Sequence, residues 1–428
     1  MPHLTFGAAM STRTPNTSRV ALGAWGLFSG LLLMMLSNGL LASLVGLRAE
    51  LEMFSTTATG IVMAFYYVGF LGGSRLVPTF VGNVGHIRVF AALASLASVS
   101  ALVHVLDVTP ATWSAMRFIT GFSYAGLYIT AESWLNDSAT NENRGTLLSV
   151  YMVTIMGGMM LSQGLLIVAS AEEVTLFVLA SVLVSVAVVP VTLSVGAAPE
   201  FRFQTRLAMR EIWTAAPLGV VTGAGVGLAN GALWGLGAVY AARAGMTTNR
   251  IALFMGAAVA GSLVTQIPLG RWSDRVRRRR AILAVTAAAA GAAAIAGLTD
   301  PLSPLMIVVV FVFGGVSFPM YSLGLSHIND HVPYGASVSV SSLYVFVNGV
   351  FAIGGPILGA FSIDRAGPEG LFWLMAAVHA LIGVFAVVRI LASEGLPVDR
   401  QRKFTMVPAR GNAVVIQLAS KVRRNGKD

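Results

Sequence analysis

The sequence predicts an all-α integral membrane protein, with twelve transmembrane helices arranged as two pseudo-symmetric six-helix bundles. Three observations carry that expectation. The chain of 428 residues is 56% hydrophobic and only 11% charged, where soluble domains carry ~25% charge. Its charged residues cut it into long uncharged runs, and its second half repeats its first. With a mean hydropathy of +0.77, a soluble protein of this size could not solvate its surface. An ordinary soluble enzyme is therefore excluded. The chain has no cysteine, so disulfides, thiolate nucleophiles, iron–sulfur clusters and cysteine zinc sites are excluded too.

Residues 1–19 carry Arg13 and Arg19 and read as a tail ahead of the first span. The run that follows is too long for the apolar part of a signal peptide, so it is kept as a span. The uncharged runs are 20–47, 53–74, 89–106, 108–131, 145–171, 174–199, 212–242, 251–270, 281–299, 301–329, 331–363 and 370–388, the fourth interrupted only by Arg117. Each has at least 18 residues, and ~20 residues of helix cross a ~30 Å hydrocarbon core. Six spans fall in 20–196 and six in 215–392, joined by a polar linker at 197–214 and followed by a basic tail at 393–428.

Basic residues set the orientation. With the N-terminus inside, the short inner loops hold Arg75, Arg88, Arg144, Arg202, Arg206, Arg210, Arg271, Arg275 and Arg277 through Arg280. The outer loops hold only Arg48, Arg243, Arg250 and Arg365. That bias is expected to place both termini in the cytoplasm, and an inner (plasma) membrane is the expected location. Arg202, Arg206 and Arg210 recur every fourth residue, a stripe suited to anionic lipid headgroups or simply a solvated loop. The tail's charges are scattered, so no nucleic-acid partner is expected despite the net charge of +10.

The halves match at a shift of about 192 residues. Asn38 to Leu44 in the first span aligns with Asn230 to Leu236 in the seventh. At a shift of 193, Phe118, Gly121, Tyr128, Ser133, Asn136, Asp137, Ser149 and Tyr151 fall on Phe311, Gly314, Tyr321, Ser326, Asn329, Asp330, Ser342 and Tyr344. Two six-helix repeats in one orientation are the build of an alternating-access transporter, with its site between them near the midplane.

After the eighth span stands Gly270-Arg271-Trp272-Ser273-Asp274-Arg275-Val276-Arg277-Arg278-Arg279. This is similar to the loop motif of the major facilitator superfamily, departing at Arg277 where a second glycine usually sits. With the twelve spans, the resemblance covers residues 20–392. Gly270 would let a neighbour approach closely, and Asp274 would face a helix N-terminus, near Arg144 and Gly145, as a latch on the inner face. Arg275, Arg278 and Arg279 complete the gating motif. In the loop after the second span, Pro78, Gly82 and Asn83 replace the Gly, Asp and Arg, so the latch is expected on one side only. Arg117 followed by Gly121 resembles the superfamily's fourth-helix motif. The fifth span has no Gly-Pro pair; its echo, Gly354 to Gly359, lies in the eleventh. Glu132-Ser133-Trp134-Leu135-Asn136, Arg144-Gly145 and Gly85-His86-Ile87-Arg88-Val89-Phe90 resemble the YcaD-like branch, which implies no particular substrate.

No enzyme constellation, P-loop or cofactor motif is expected. His327 and His331 stand at metal-binding i, i+4 spacing, but as a polar helix end they need no metal. Buried polar groups are more informative, because an unpaired polar atom in hydrocarbon is costly. The resemblance implies that helices 1, 4, 7 and 10 line a central cavity, which makes Asn38, Asn230, Trp234, Tyr124 and Tyr321 the expected substrate contacts. Gln163, Gln266 and Asn348 are further polar groups inside spans. Arg117 lies about 14 Å down its helix, near the midplane of a ~30 Å core, while Glu132 lies about 22 Å further along, toward the inner surface. Arg117 is expected to bind an anionic group of the substrate, to help move protons, or to hold the helix in place. The expected function is secondary transport of a small organic solute, proton-coupled, by a monomer among membrane lipids. The alternative is a membrane solute sensor or assembly protein that kept the fold.

Overall fold

The computed structural model describes residues 25–137, 139, 143–193, 209–333, 337–404 and 406; the side chains of 136, 137, 144, 145, 337 and 338 lie outside that description. The N-terminal tail and linker arginines Arg202 and Arg206 are thus outside the described residues. Helices make up almost all of what is described. The N-terminal bundle holds α1 (Trp25–Leu51), α2 (Thr56–Val84), α3 (His86–Leu106), α4 (Pro110–Asp137), α5 (Arg144–Gly164) and α6 (Thr175–Leu193). The C-terminal bundle holds α7 (Pro217–Arg243), α8 (Thr248–Ser273), α9 (Arg278–Leu298), α10 (Pro304–His331), α11 (Ser337–Ala366) and α12 (Gly370–Ala392). A short linker helix, Met209–Ala215, precedes α7.

Eleven of these, among the described residues, are long and apolar enough to cross a membrane. The twelfth, α4, is 28 residues long but carries Arg117, Glu132 and many hydroxyls. It is the polar member of the set, and it crosses because neighbours enclose that polarity. Breaks follow local chemistry. Ser55 caps α2, accepting from the Ala58 N–H at 3.2 Å. Gly85 makes the turn into α3 at φ +94°, where a side chain would be strained. In α10, Pro319 supplies no N–H, and the helix is interrupted at Phe318 and Pro319.

The same pairings recur in both bundles: α2 with α4 and α8 with α10, α1 with α5 and α7 with α11, α3 with α6 and α9 with α12. At the α2–α4 crossing a Cβ on Gly69 would land on the Phe118 carbonyl, and one on Gly121 on the Tyr66 carbonyl. At the α8–α10 crossing Gly261 meets the Phe311 carbonyl and Gly314 that of Ala258 in the same way. Backbone cannot yield as a side chain does, so each crossing needs its pair of glycines. Between bundles, α1 meets α7, α2 meets α11 and α5 meets α8. Of those eleven, α1 and α7 are the most enclosed, at 83% and 72% buried, while large apolar side chains such as Val153, Leu161, Leu263 and Leu381 face outward. That outward apolar surface suits lipid tails and not water.

Candidate functional site

The site builds outward from the polar face of α4. Arg117 is 3% exposed, and its guanidinium carbon lies 4.6 Å above the centre of the Tyr66 ring on α2. A desolvated cation over an aromatic face gains about 2 kcal/mol, which offsets part of the cost of placing the charge here. Tyr66 in turn donates its hydroxyl to Asn38 Oδ1 on α1 at 3.2 Å. One chain of contacts therefore joins α4, α2 and α1. Two turns further along α4, Tyr124 donates to Ser37 Oγ at 2.8 Å, and Ser37 donates to the Ala180 carbonyl at 2.7 Å. The Tyr124 hydroxyl is engaged between helices.

Glu132, expected near the inner surface, is fully buried. Tyr151 on α5 donates to its Oε1 at 2.5 Å, a short charge-assisted bond. Reading helix depth from residue counts placed Glu132 at a helix end, where a carboxylate needs no explanation. The signal that finds it is Tyr151, which the internal repeat had already singled out.

On the other bundle, Trp234 of α7 stacks on Phe318 of α10 at 6.1 Å with planes 18° apart. Both rings pack against the cores of both bundles, so they stand at the seam. Tyr321 is buried; its carbonyl accepts from Tyr344 at 3.0 Å. Three polar atoms here have no hydrogen-bond partner among the described residues: Asn38 Nδ2, Asn230 Oδ1 and Tyr321 Oη. Each would cost ~1–3 kcal/mol if left so, which water or a ligand would recover. Gln163 and Asn348 differ from these. Gln163 accepts from Ser43 at 2.7 Å and donates to the Gly39 carbonyl at 3.2 Å, and Asn348 donates to the Gly223 carbonyl at 2.9 Å. They staple α5 to α1 and α11 to α7.

Charged groups cluster at both ends, across the seam at one and within the C-terminal bundle at the other. At one, Arg243 Nε reaches both oxygens of Glu50 at 2.9 Å, and its Nη1 reaches Thr56 at 2.6 Å. Thr57 adds a bond to Asp364 at 3.2 Å. At the other, Arg278, 2% exposed, bridges Asp274 and Asp330 at 3.2 Å each. Arg279 donates to the carbonyls of Arg389 at 3.0 Å and Ser393 at 2.9 Å, and Arg275 is exposed. The rings of His327 and His331 meet edge to face, centres 4.6 Å apart. Among the described residues no group of three or more His, Asp or Glu side chains could hold a metal.

The family model of the Major Facilitator Superfamily matches residues 26–354 and again 220–425. The chain belongs to that superfamily. Two relatives, each named as an uncharacterized MFS-type transporter YcaD, come from Escherichia fergusonii and Salmonella arizonae. They are 27% identical over 354 residues and 28% identical over 356 residues, covering 82% of this chain and 92% of each relative. Among solved structures, the nucleoside transporter NupG superposes with a TM-score of 0.71 at 11% identity, covering 86% of this chain and 99% of NupG. A bacterial homologue of the human lysosomal transporter Spinster, inward-facing and occupied, superposes at 0.68 with 14% identity, covering 91% and 99%.

As a superfamily transporter, the protein is a multi-pass membrane protein of a class that carries small molecules and is not an enzyme family. The structure brings Asn38, Arg117 and Tyr66 into one contact chain and places Trp234 at the seam. The Tyr124 hydroxyl donates to Ser37, the neighbour of Asn38 in α1. Of the residues expected to gate the inner face, Gly270, Asp274, Arg278 and Arg279 lie together where α8 runs into α9, whereas the Arg144 side chain lies outside the described residues.

Proposed function

We propose that the protein is a proton-coupled secondary transporter of a small organic solute, working by alternating access. Residues 20–196 and 215–392 rock as units about a site between them. The observation that carries this reading is the set of unpartnered polar atoms on α1, α7 and α10 beside a stacked aromatic pair at the seam. Asn38, Asn230, Trp234 and Tyr321 contact the solute, and Arg117 meets its most electronegative group. Glu132, buried against Tyr151, exchanges the coupling proton, since protonation removes a charge that burial penalises. The protein works as a monomer in the inner membrane with both termini in the cytoplasm. Reporter fusions at Gly196 and Asn425 give a cytoplasmic signal; an outside signal at either overturns that topology.

A screen of the purified chain against metabolite and drug libraries finds the solute by a raised melting temperature, because a ligand bound only to folded protein stabilises it. Asn230→Leu abolishes the shift for the true solute. In proteoliposomes Glu132→Gln still exchanges solute but loses uptake driven by a pH gradient. Wild-type gradient-driven uptake by a well-expressed Glu132→Gln would falsify the coupling role. Binding without any flux in the wild type would favour the sensor instead.

A further inference from the structure

The chain after α12 returns to the face that carries Asp274. It passes through a short turn, Val398–Arg400, and then binds the gating motif by its backbone. The Arg402 N–H donates to Asp330 Oδ1 at 2.8 Å, and the Arg402 carbonyl accepts from Arg278 Nη2 at 2.5 Å. The Arg402 guanidinium donates to the Val332 carbonyl. Two residues on, the Phe404 N–H donates to Asp274 Oδ1 at 2.6 Å. The Phe404 ring fills the notch over Gly270, where a Cβ would strike it. Phe404 packs over Gly270 of α8, and Met406 packs against a cluster drawn from the N-terminal bundle apart from Val259.

The motif's glycine and carboxylate are thus occupied by a segment 130 residues away in sequence. A carboxylate accepting a backbone N–H makes a charge-assisted bond, and a ring seated over a glycine excludes any other element from that notch. With its hydrogen bonds on the C-terminal bundle and Met406 set against the mostly N-terminal cluster, the segment ties the two bundles at this end. We propose that residues 398–404, with Met406 beyond them, form an autoinhibitory strap that holds the Asp274 end closed and is released for that end to open. The proposal rests on the alternating-access reading above.

The chain has no native cysteine, so paired spin labels report on either end of the full-length protein in liposomes. Asn83→Cys with Arg280→Cys measures the width of the Asp274 end. Leu51→Cys with Ala366→Cys measures the opposite end. Phe404→Asp places a charge beside Asp274 and empties the notch; it raises the open population at the Asp274 end about tenfold. Phe404→Leu, which keeps the notch filled, and Lys403→Gln, at an exposed position, leave the distances near wild type. Asp274→Asn opens the same end, and combining it with Phe404→Asp adds little, as expected of one shared contact. An unchanged distance distribution in a monodisperse Phe404→Asp protein, with Phe404→Ala equally silent, overturns the strap. If the Leu51–Ala366 pair responds to solute while the Asn83–Arg280 pair ignores Phe404, the strap fails alone. If neither pair responds to any ligand or variant, alternating access fails with it.

Discussion

The two bundles are built on one plan and used differently. At the α2–α4 and α8–α10 crossings, glycines at repeat-related positions press on carbonyls of the partner helix in the same reciprocal way. Yet the N-terminal crossing encloses Arg117 over Tyr66, whereas its C-terminal counterpart holds Val310 and Ala258. Lower on the same helices, Tyr151 bonds the Glu132 carboxylate. Its repeat mate Tyr344 faces a helix with Leu325 at the corresponding position and bonds the Tyr321 backbone carbonyl instead. At the Asp274 end the asymmetry reverses. There the C-terminal bundle carries the Arg278 ion network, while the N-terminal bundle has His86 against Ser133 at 3.0 Å. Packing is duplicated because helices must cross closely in both halves. Charge is not duplicated, because each buried charge is costly and one copy suffices for its task.

The strongest test of this contrast is whether the shared part is truly shared. Gly121→Val and Gly314→Val each drive a side chain into a backbone carbonyl, so each destabilises by about 3 kcal/mol or more. Melting curves of the two purified variants are expected to fall together. A large loss in one and none in the other would break the structural equivalence of the crossings.

The part not shared is probed by one hydroxyl in each bundle. Tyr151→Phe removes a bond to a carboxylate, worth about 2 kcal/mol, and Tyr344→Phe a bond to a carbonyl, worth about 1 kcal/mol. Only Tyr151→Phe is expected to shift the pH dependence of transport. A matching shift from Tyr344→Phe would mean that the proton site is not confined to the N-terminal bundle.

The smallest effect concerns the seam itself. Glu50 and Arg243 lie one repeat apart, 193 residues, and pair across the bundles while about one quarter exposed. A partly solvated pair of good geometry holds the closed end by about 1 kcal/mol. Glu50→Gln should raise labelling of a cysteine placed near Thr57 several-fold, and sodium chloride should have the same effect on the wild type. Labelling that ignores both the substitution and the salt would remove this pair from the gate.

Arg117 and Glu132 show how far sequence reading reaches into the site. Arg117 announced itself as the only charge inside an otherwise uncharged run. Glu132 did not, because counting 1.5 Å per residue locates depth along a helix but not enclosure by neighbouring helices. Tyr124 lies on a cavity helix by family resemblance, and only the structure shows that its hydroxyl donates to Ser37. Gln163 and Asn348 lie outside the expected cavity helices, and only the structure shows that each staples two helices together.

What the sequence determined by itself was the number of spans, their division into two repeated bundles and the membrane as their solvent. Those follow from transfer energies summed over windows of ~20 residues and from backbone hydrogen bonds closed within each helix. Both are local quantities. Tertiary structure decided which polar atoms are paired and which stay open, and that Asp274 is held by Phe404 rather than by a neighbouring helix alone. Such pairings join residues as far as 307 positions apart, and they depend on side-chain direction at the contact, which no single helix specifies.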